Sequence, residues 1–426
     1  MKINRDVSMT DLESWINYGD EMRRPLLINP ELANSSKVVI VGGGLSGMCC
    51  AFRLSQKRPD LEIILLEKKD SLGGVISTWI DDEWICDLAV NATRPHPAFW
   101  RLVEDLELSK HFKPSNPKAK SRWIIIDGKK HKLSPFTIFK IGLFRMLKSI
   151  KKSRIGGASV EDLIPNKQIA DALTLGIVND TSDNVDADFL MPSMTNFGPE
   201  PPMKKSQLKK KIDKTYPIFT PKKGTIASLE GGMQTLIRAL EEKLLNFNNI
   251  TIKYNQIADS IDSISSEYKL PKSSIIWAAP GLTQANEFTE LSIFAVGYQE
   301  DNVLDVEIGY GTLIPDKNIP ISGILNESDI HFSKRCPEGH RLFRLMVPHN
   351  RWDGNTKSII SHAEKLLGPN PVLFSKIGER KIPRYKPGYM GELSKSKAEH
   401  NLIGWFASGV SITHVVCEAE RIAELF

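Results

Sequence analysis

The chain has 426 residues, of which 41% are hydrophobic and 25% charged, a composition that supports an ample core and excludes both a disordered chain and an integral membrane protein. Its net charge of +5 comes without a long Lys/Arg tract or a nucleic-acid-binding module, so no nucleic acid is expected as a partner. The 5 cysteines show neither CxxC nor zinc spacing, which fits a reducing compartment and predicts no metal site.

Residues 1–36 read as an N-terminal extension, helical over 9–18. Its acids Asp6, Asp11, Glu13, Asp20 and Glu21 are unlike a signal or transit peptide. The apolar run Val38-Val39-Ile40-Val41 has the length and composition of a buried parallel strand. The turn Gly42-Gly43-Gly44-Leu45-Ser46-Gly47 follows at once, with glycines at the first, third and sixth places of the dinucleotide fingerprint. Gly42 permits a sharp exit from the strand, Gly44 permits close approach of a pyrophosphate, and Gly47 lets the next helix pack against the sheet.

That helix is predicted over 45–56 and stops at Arg58-Pro59. The second apolar strand, Ile63-Ile64-Leu65-Leu66, ends in Glu67, the acid expected about 20 residues past the turn to bind a ribose hydroxyl pair. Strand, turn, helix, strand and acid in register identify a dinucleotide site. Gly73 and Gly74 allow further close backbone packing beside it.

Residues 75–85 predict a β-hairpin, followed by the segment Asp87 to Arg94 and a helix over 97–106. Asp127-Gly128 between Trp123-Ile124-Ile125-Ile126 and His131-Lys132-Leu133 predicts a second hairpin. Residues 135–150 are amphipathic and basic. They read equally as an interfacial helix on an anionic bilayer or as a surface helix whose apolar face is core. Residues 159–197 follow a helical pattern, and the charged stretch 204–214 is a solvated face. A helix over 235–245, strands at 250–252 and 274–279, and the strand terminus Ala278-Ala279-Pro280 return to the dinucleotide domain. The last third is β-rich at 303–308, 321–325 and 341–347. It ends in a strand-like 402–406, a turn at 407–409 and a C-terminal helix.

The glycine turn, Glu67, Leu72-Gly73-Gly74, Ser228 to Leu236, Ala278-Ala279-Pro280, Gly309 to Pro315, Ile382-Pro383-Arg384-Tyr385 and Gly409-Val410 together resemble the protoporphyrinogen oxidase family of FAD-dependent flavoproteins. The chain departs from that pattern at Gly404-Trp405, at Gly409 to His414, at Arg384 and at Gly388-Tyr389.

The resemblance implies an α/β fold: a Rossmann-type FAD-binding domain (37–110, 224–290 and 395–426) and a second, mixed β-sheet substrate domain (111–223 and 291–394) carrying a helical, membrane-associating insertion. It implies FAD as cofactor, held by Gly42, Gly44, Leu45, Ser46, Gly47, Glu67, Lys68, Gly73, Gly74, Ala279, Pro280 and Val410.

The implied reaction is oxidation of protoporphyrinogen IX to protoporphyrin IX in haem biosynthesis, with oxygen or another electron acceptor. Coproporphyrinogen oxidation, an amine oxidase or carotenoid-desaturase-like flavoenzyme, and a catalytically silent flavin- or tetrapyrrole-binding protein are the alternatives. Propionate binding calls for arginines at a pocket rim; Arg94 is the first candidate, followed by Arg384 and Arg122. No catalytic acid or base is assigned, and His414 is the histidine nearest the flavin-side turn. The expected location is cytoplasmic with peripheral membrane contact, and a homodimer is left open.

Overall fold

The computed structural model describes residues 25–93, 96–134, 156–195, 197, 226–280, 287–395 and 400–426. The expected helix at 9–18, the basic stretch 135–150, the charged stretch 204–214 and Arg94 lie outside them.

The organising element is a five-stranded sheet in the order Asn401–Leu402, Ile275–Trp277, Lys37–Val41, Glu62–Leu66, Ile250–Lys253. All its pairings are parallel. Side chains alternate across a strand, and here both faces are apolar. Val38, Ile40, Ile63 and Leu65 enter the large core beneath the helices Leu45–Lys57, Gln234–Leu245 and Ile412–Ala423. Val39, Val41, Ile64 and Leu66 pack on the other side with Ile261 and Ile264 of helix Ile261–Tyr268. A strand covered on both faces needs an unbroken apolar run, as the sequence supplies.

Helix Leu45–Lys57 is buried from Leu45 to Ser55, and the Arg58 amide closes its end on the Leu54 carbonyl. Pro59 cannot continue it.

The second sheet has seven strands in the order Leu373–Pro383, Phe288–Gln299, His340–Pro348, Gly323–Leu325, Gly311–Leu313, Arg122–Ile126, Lys129–Lys132. Its pairs are antiparallel except Gly311–Leu313 with Arg122–Ile126, which is parallel. The sheet is therefore mixed, as expected. Asp127 and Gly128 close the predicted hairpin with φ of 50° and 73°, the left-handed pair that a two-residue turn demands. The hairpin at 75–85 is also present, as Thr78–Asp81 against Trp84–Asp87.

Two local expectations differ. Residues 402–406 do not run on as a strand: Gly404 turns the chain at φ 128°, and Trp405–Ser408 is a helical turn. Residues 303–308 are not extended either; a 3-10 turn, Glu300–Val303, ends there.

The two sheets meet through buried charge. Asp87, at the end of the hairpin, accepts hydrogen bonds from Thr78 Oγ1 and the Met233 amide and pairs with Arg335 at 3.0 Å. Glu327 pairs with Arg344 at 3.0 Å and meets His331 at 3.2 Å, while the other ring nitrogen of His331 lies 2.7 Å from Ser228 Oγ. The Arg344 guanidinium also donates to the Asp87 and Ala89 carbonyls. Strand Ala227–Leu229, which carries Ser228, pairs with Phe112–Pro114 and bridges to Thr93. The segment 87–93 is thus gripped along its length.

Candidate functional site: a dinucleotide crevice

The glycine turn is built as its spacing predicts, and the three fingerprint glycines do different jobs. Gly42 adopts φ 110° and donates to the Leu66 carbonyl at 2.8 Å. A Cβ there would stand 3.0 Å from Ala278 C and Ala279 N, so the residues just past strand Ile275–Trp277 seat directly on the turn. A Cβ on Gly47 would collide with the Gly42 carbonyl oxygen; this glycine serves the close packing of helix on turn. A Cβ on Gly44 would meet only Gly74 Cα, at 3.8 Å. Among the described residues no atom requires glycine at Gly44, whereas an approaching ligand would.

Gly44 is the N-cap of helix Leu45–Lys57 and offers no side-chain cap. The first-turn amides therefore remain free to receive an anion, in the favourable direction of the helix dipole. Ser46 Oγ, in that first turn, is buried without a hydrogen-bond partner. An orphaned buried hydroxyl costs stability unless something satisfies it. Gly73 extends the cradle, donating to the Gly43 carbonyl at 2.8 Å, with Gly73 and Gly74 at φ 114° and 62°.

Glu67 is buried and accepts from the Gly43 amide at 2.8 Å and the Lys69 amide at 3.0 Å. Its two oxygens keep lone pairs for further donors such as ribose hydroxyls. Lys68 beside it is exposed. Pro280 is exposed past the strand end, and Val410 is half-buried between two small apolar clusters. The residues present fit FAD: open space at Gly44, an orphaned Ser46 hydroxyl and an acid at the ribose position.

The C-terminal segment closes on this turn. The Gly404 amide donates to Glu418 Oε2 at 2.8 Å, and a Cβ on Gly404 would lie 3.5 Å from Ser46 Oγ. Thr413, in the first turn of helix Ile412–Ala423, stands 3.1 Å from Thr93 across the crevice. His414 is half-buried one residue further on. The same helix is anchored at its other end, where Arg53 pairs with Glu420 at 2.6 Å and with Asp105.

At the end of the edge strand of the second sheet, Arg384 is already engaged, with Asp180 at 2.7 Å and Glu287 at 3.4 Å. Arg122 is exposed and lies over the Tyr310 ring at 4.2 Å. Glu327, His331 and Arg344, to which the sequence assigns no role, join Asp87 and Arg335 in fixing the segment 87–93. Burial alone would raise the Glu327 carboxyl, but the Arg344 charge, the His331 hydrogen bond and Arg335 outweigh it and bring it down to about 2. His331 is pushed down by burial and then by Arg335, so it sits neutral in the network.

Residues 40–106 match the model of an NAD(P)-binding Rossmann-like domain. Among solved structures, a protein of Exiguobacterium sp. assigned as a protoporphyrinogen oxidase superposes with a TM-score of 0.64 at 16% identity, covering 92% of this chain and 98% of that one. The chain thus shares the overall fold of that protein and carries an NAD(P)-binding Rossmann-like domain at residues 40–106. Protoporphyrinogen oxidase 1 of Arabidopsis thaliana is 34% identical over 93 residues, a stretch covering 21% of this chain and 17% of that relative. Coproporphyrinogen III oxidase of Bacillus subtilis is 24% identical over 377 residues, or 73% of this chain and 77% of the relative. The α/β architecture with a Rossmann-type domain and a mixed second sheet, expected for the protoporphyrinogen oxidase-like flavoproteins, is the one found.

Proposed function

We propose that the chain is an FAD-dependent oxidoreductase that oxidises a porphyrinogen, protoporphyrinogen IX or coproporphyrinogen III, in the formation of haem. The observation that carries this is the match to a coproporphyrinogen III oxidase across 377 residues, on a fold whose C-terminal segment closes over the glycine turn. The match to protoporphyrinogen oxidase supports the same substrate class.

When bound, FAD supplies the hydride acceptor for removal of hydrogen from a methylene bridge and a pyrrole N–H. The chain's own contribution is to hold and orient. The first-turn amides and Ser46 bind the diphosphate, Glu67 accepts from the adenosine ribose, and the segment 87–93 with Gly409 to His414 walls the ring side. Excluding water and fixing the reacting carbon supply much of the rate in such a site. Growing conjugation of the macrocycle drives the oxidation, so no strong protein base is required.

Among the described residues no helix is long and apolar enough to cross a membrane. Peripheral contact through residues 135–150 is part of the proposal, read by pelleting with anionic liposomes. The deciding experiment is purification followed by incubation with protoporphyrinogen IX or coproporphyrinogen III under air, with porphyrin fluorescence as readout. A yellow protein that raises fluorescence above the spontaneous rate is expected. A colourless protein that takes up no added FAD overturns the cofactor, and a yellow one that leaves both porphyrinogens at the spontaneous rate overturns the substrate.

A further inference from the structure

Four residues before Arg384, on the strand Leu373–Pro383, stands an arginine in the opposite electrostatic condition. Arg380 is half-buried and, among the described residues, has no carboxylate within ion-pair distance. Its guanidinium donates only to neutral oxygens: the Val75 carbonyl at 3.3 Å, Ser77 Oγ at 3.1 Å and its neighbour's Glu379 carbonyl at 2.9 Å. Its Nε is buried with no partner at all. Burial first, and the Arg344 charge second, push its pKa down, so the surroundings on balance disfavour the cation.

Position gives this unbalanced charge a meaning. Val75 and Ser77 directly follow Gly73-Gly74, whose backbone faces Gly44 at the mouth of the diphosphate cradle. The strand around Arg380 also lies on the segment 87–89, since a Cβ on Gly378 would strike Leu88. Arg380 therefore reaches from the substrate sheet to the rim of the crevice, with donors left over. A cation withdrawn from water without a counter-charge is costly, and a planar guanidinium is suited to receiving an oxyanion in a paired geometry.

We propose that the Arg380 guanidinium is the cationic part of an oxyanion subsite at the Gly73-Gly74 rim, receiving either the diphosphate of the dinucleotide or a carboxylate of the substrate. The subsite rests on the flavin and porphyrinogen reading above. It assigns to Arg380 the role for which Arg384, spent on Asp180 and Glu287, has no charge left.

The test compares wild type with R380Q, which keeps a donor for Val75 and Ser77 but loses the charge, and R380K, which keeps the charge. Melting temperatures confirm that each variant is folded. In the first arm the apo-protein is titrated with FAD and with phosphate-free riboflavin. In the second the protein is titrated with protoporphyrin IX and with its uncharged dimethyl ester, followed by fluorescence quenching.

The expected result is a loss of about tenfold or more for R380Q toward one charged probe, as for removal of a charge-assisted hydrogen bond. R380K should be largely spared and the uncharged counterpart unaffected. A loss confined to FAD names the cofactor diphosphate; a loss confined to protoporphyrin IX names the substrate carboxylate. R380Q that matches a wild type binding both charged probes overturns the subsite and leaves the flavin reading standing. A wild type that binds neither probe overturns both.

Discussion

Two buried ionisable groups, His96 in the dinucleotide half and Glu327 at the junction to the second sheet, are treated in opposite ways. In the first, His96 is buried, accepting from the Ala98 amide and lying 3.5 Å from Cys417 Sγ, and burial pushes it down to about 3, so that it is held neutral. In the second, Glu327 is as deeply buried, yet Arg344 and its neighbours hold it ionised. The contrast is between two settings for a buried ionisable group, one without a counter-charge and one matched by charge; the dinucleotide half has its own matched set in Arg53 with Glu420 and Asp105. The lesson is that the crevice is assembled from a rigid, locally encoded wall and a second wall held in place by long-range ion pairs.

The most damaging way to break that contrast is Glu327→Leu, which leaves the buried Arg344 without its counter-ion. Loss of one partner of a buried pair costs about 3–5 kcal/mol, read by urea unfolding. A loss below about 1 kcal/mol would mean that the junction is not held by charge.

The dinucleotide half has its own pH signature. Because the folded-state pKa of His96 lies below its ordinary value of 6.5, the unfolded chain takes up the proton first. Stability is therefore full above that value and is lost as pH falls toward about 3. The wild type should lose about 1.4 kcal/mol per pH unit from this group across the window. His96→Asn, which keeps an acceptor for the Ala98 amide, should flatten the slope of unfolding free energy against pH by that amount, measured by urea unfolding at several pH values; an unchanged slope would assign the pH response elsewhere. Glu327, also depressed, adds a loss of the same sign only as pH falls from its ordinary 4.5 through about 2.

A pair of glycine variants separates packing from ligand. Gly47→Ala drives a methyl into the Gly42 carbonyl and should destabilise the fold by about 1–3 kcal/mol. Gly44→Val, facing open space apart from Gly74, should change stability by no more than about 0.5 kcal/mol while abolishing FAD retention, measured as flavin absorbance per protein. A Gly44→Val protein that still purifies yellow would remove the diphosphate from this turn.

The division between the halves is also the division between what the sequence disclosed and what it concealed. The glycine turn, its flanking strands and Glu67 were legible because each signal lies within a few residues of the next and rests on backbone sterics. The Asp127-Gly128 hairpin was legible for the same reason. The junction was not: Asp87 finds Arg335 248 residues later, and nothing in the local pattern around either announces a partner. Arg384 read as a rim arginine by its neighbours in sequence, while Asp180, far upstream, takes its charge. The misread strand at 402–406 has a similar origin, since the amide of Gly404 is satisfied by Glu418 in the next helix and not by a ladder neighbour.

One consequence concerns the order of events during synthesis. The central sheet draws its edge strand from Asn401–Leu402, and the lid over the glycine turn comes from the residues just after it. A ribosome delivering this chain exposes Lys37–Val41 and Glu62–Leu66 long before their last neighbours emerge, so the nucleotide-binding wall must wait half-built for its final pieces. Cofactor capture then becomes a late step of maturation, and flavin supplied during refolding should raise the yield of native protein by trapping the closed form.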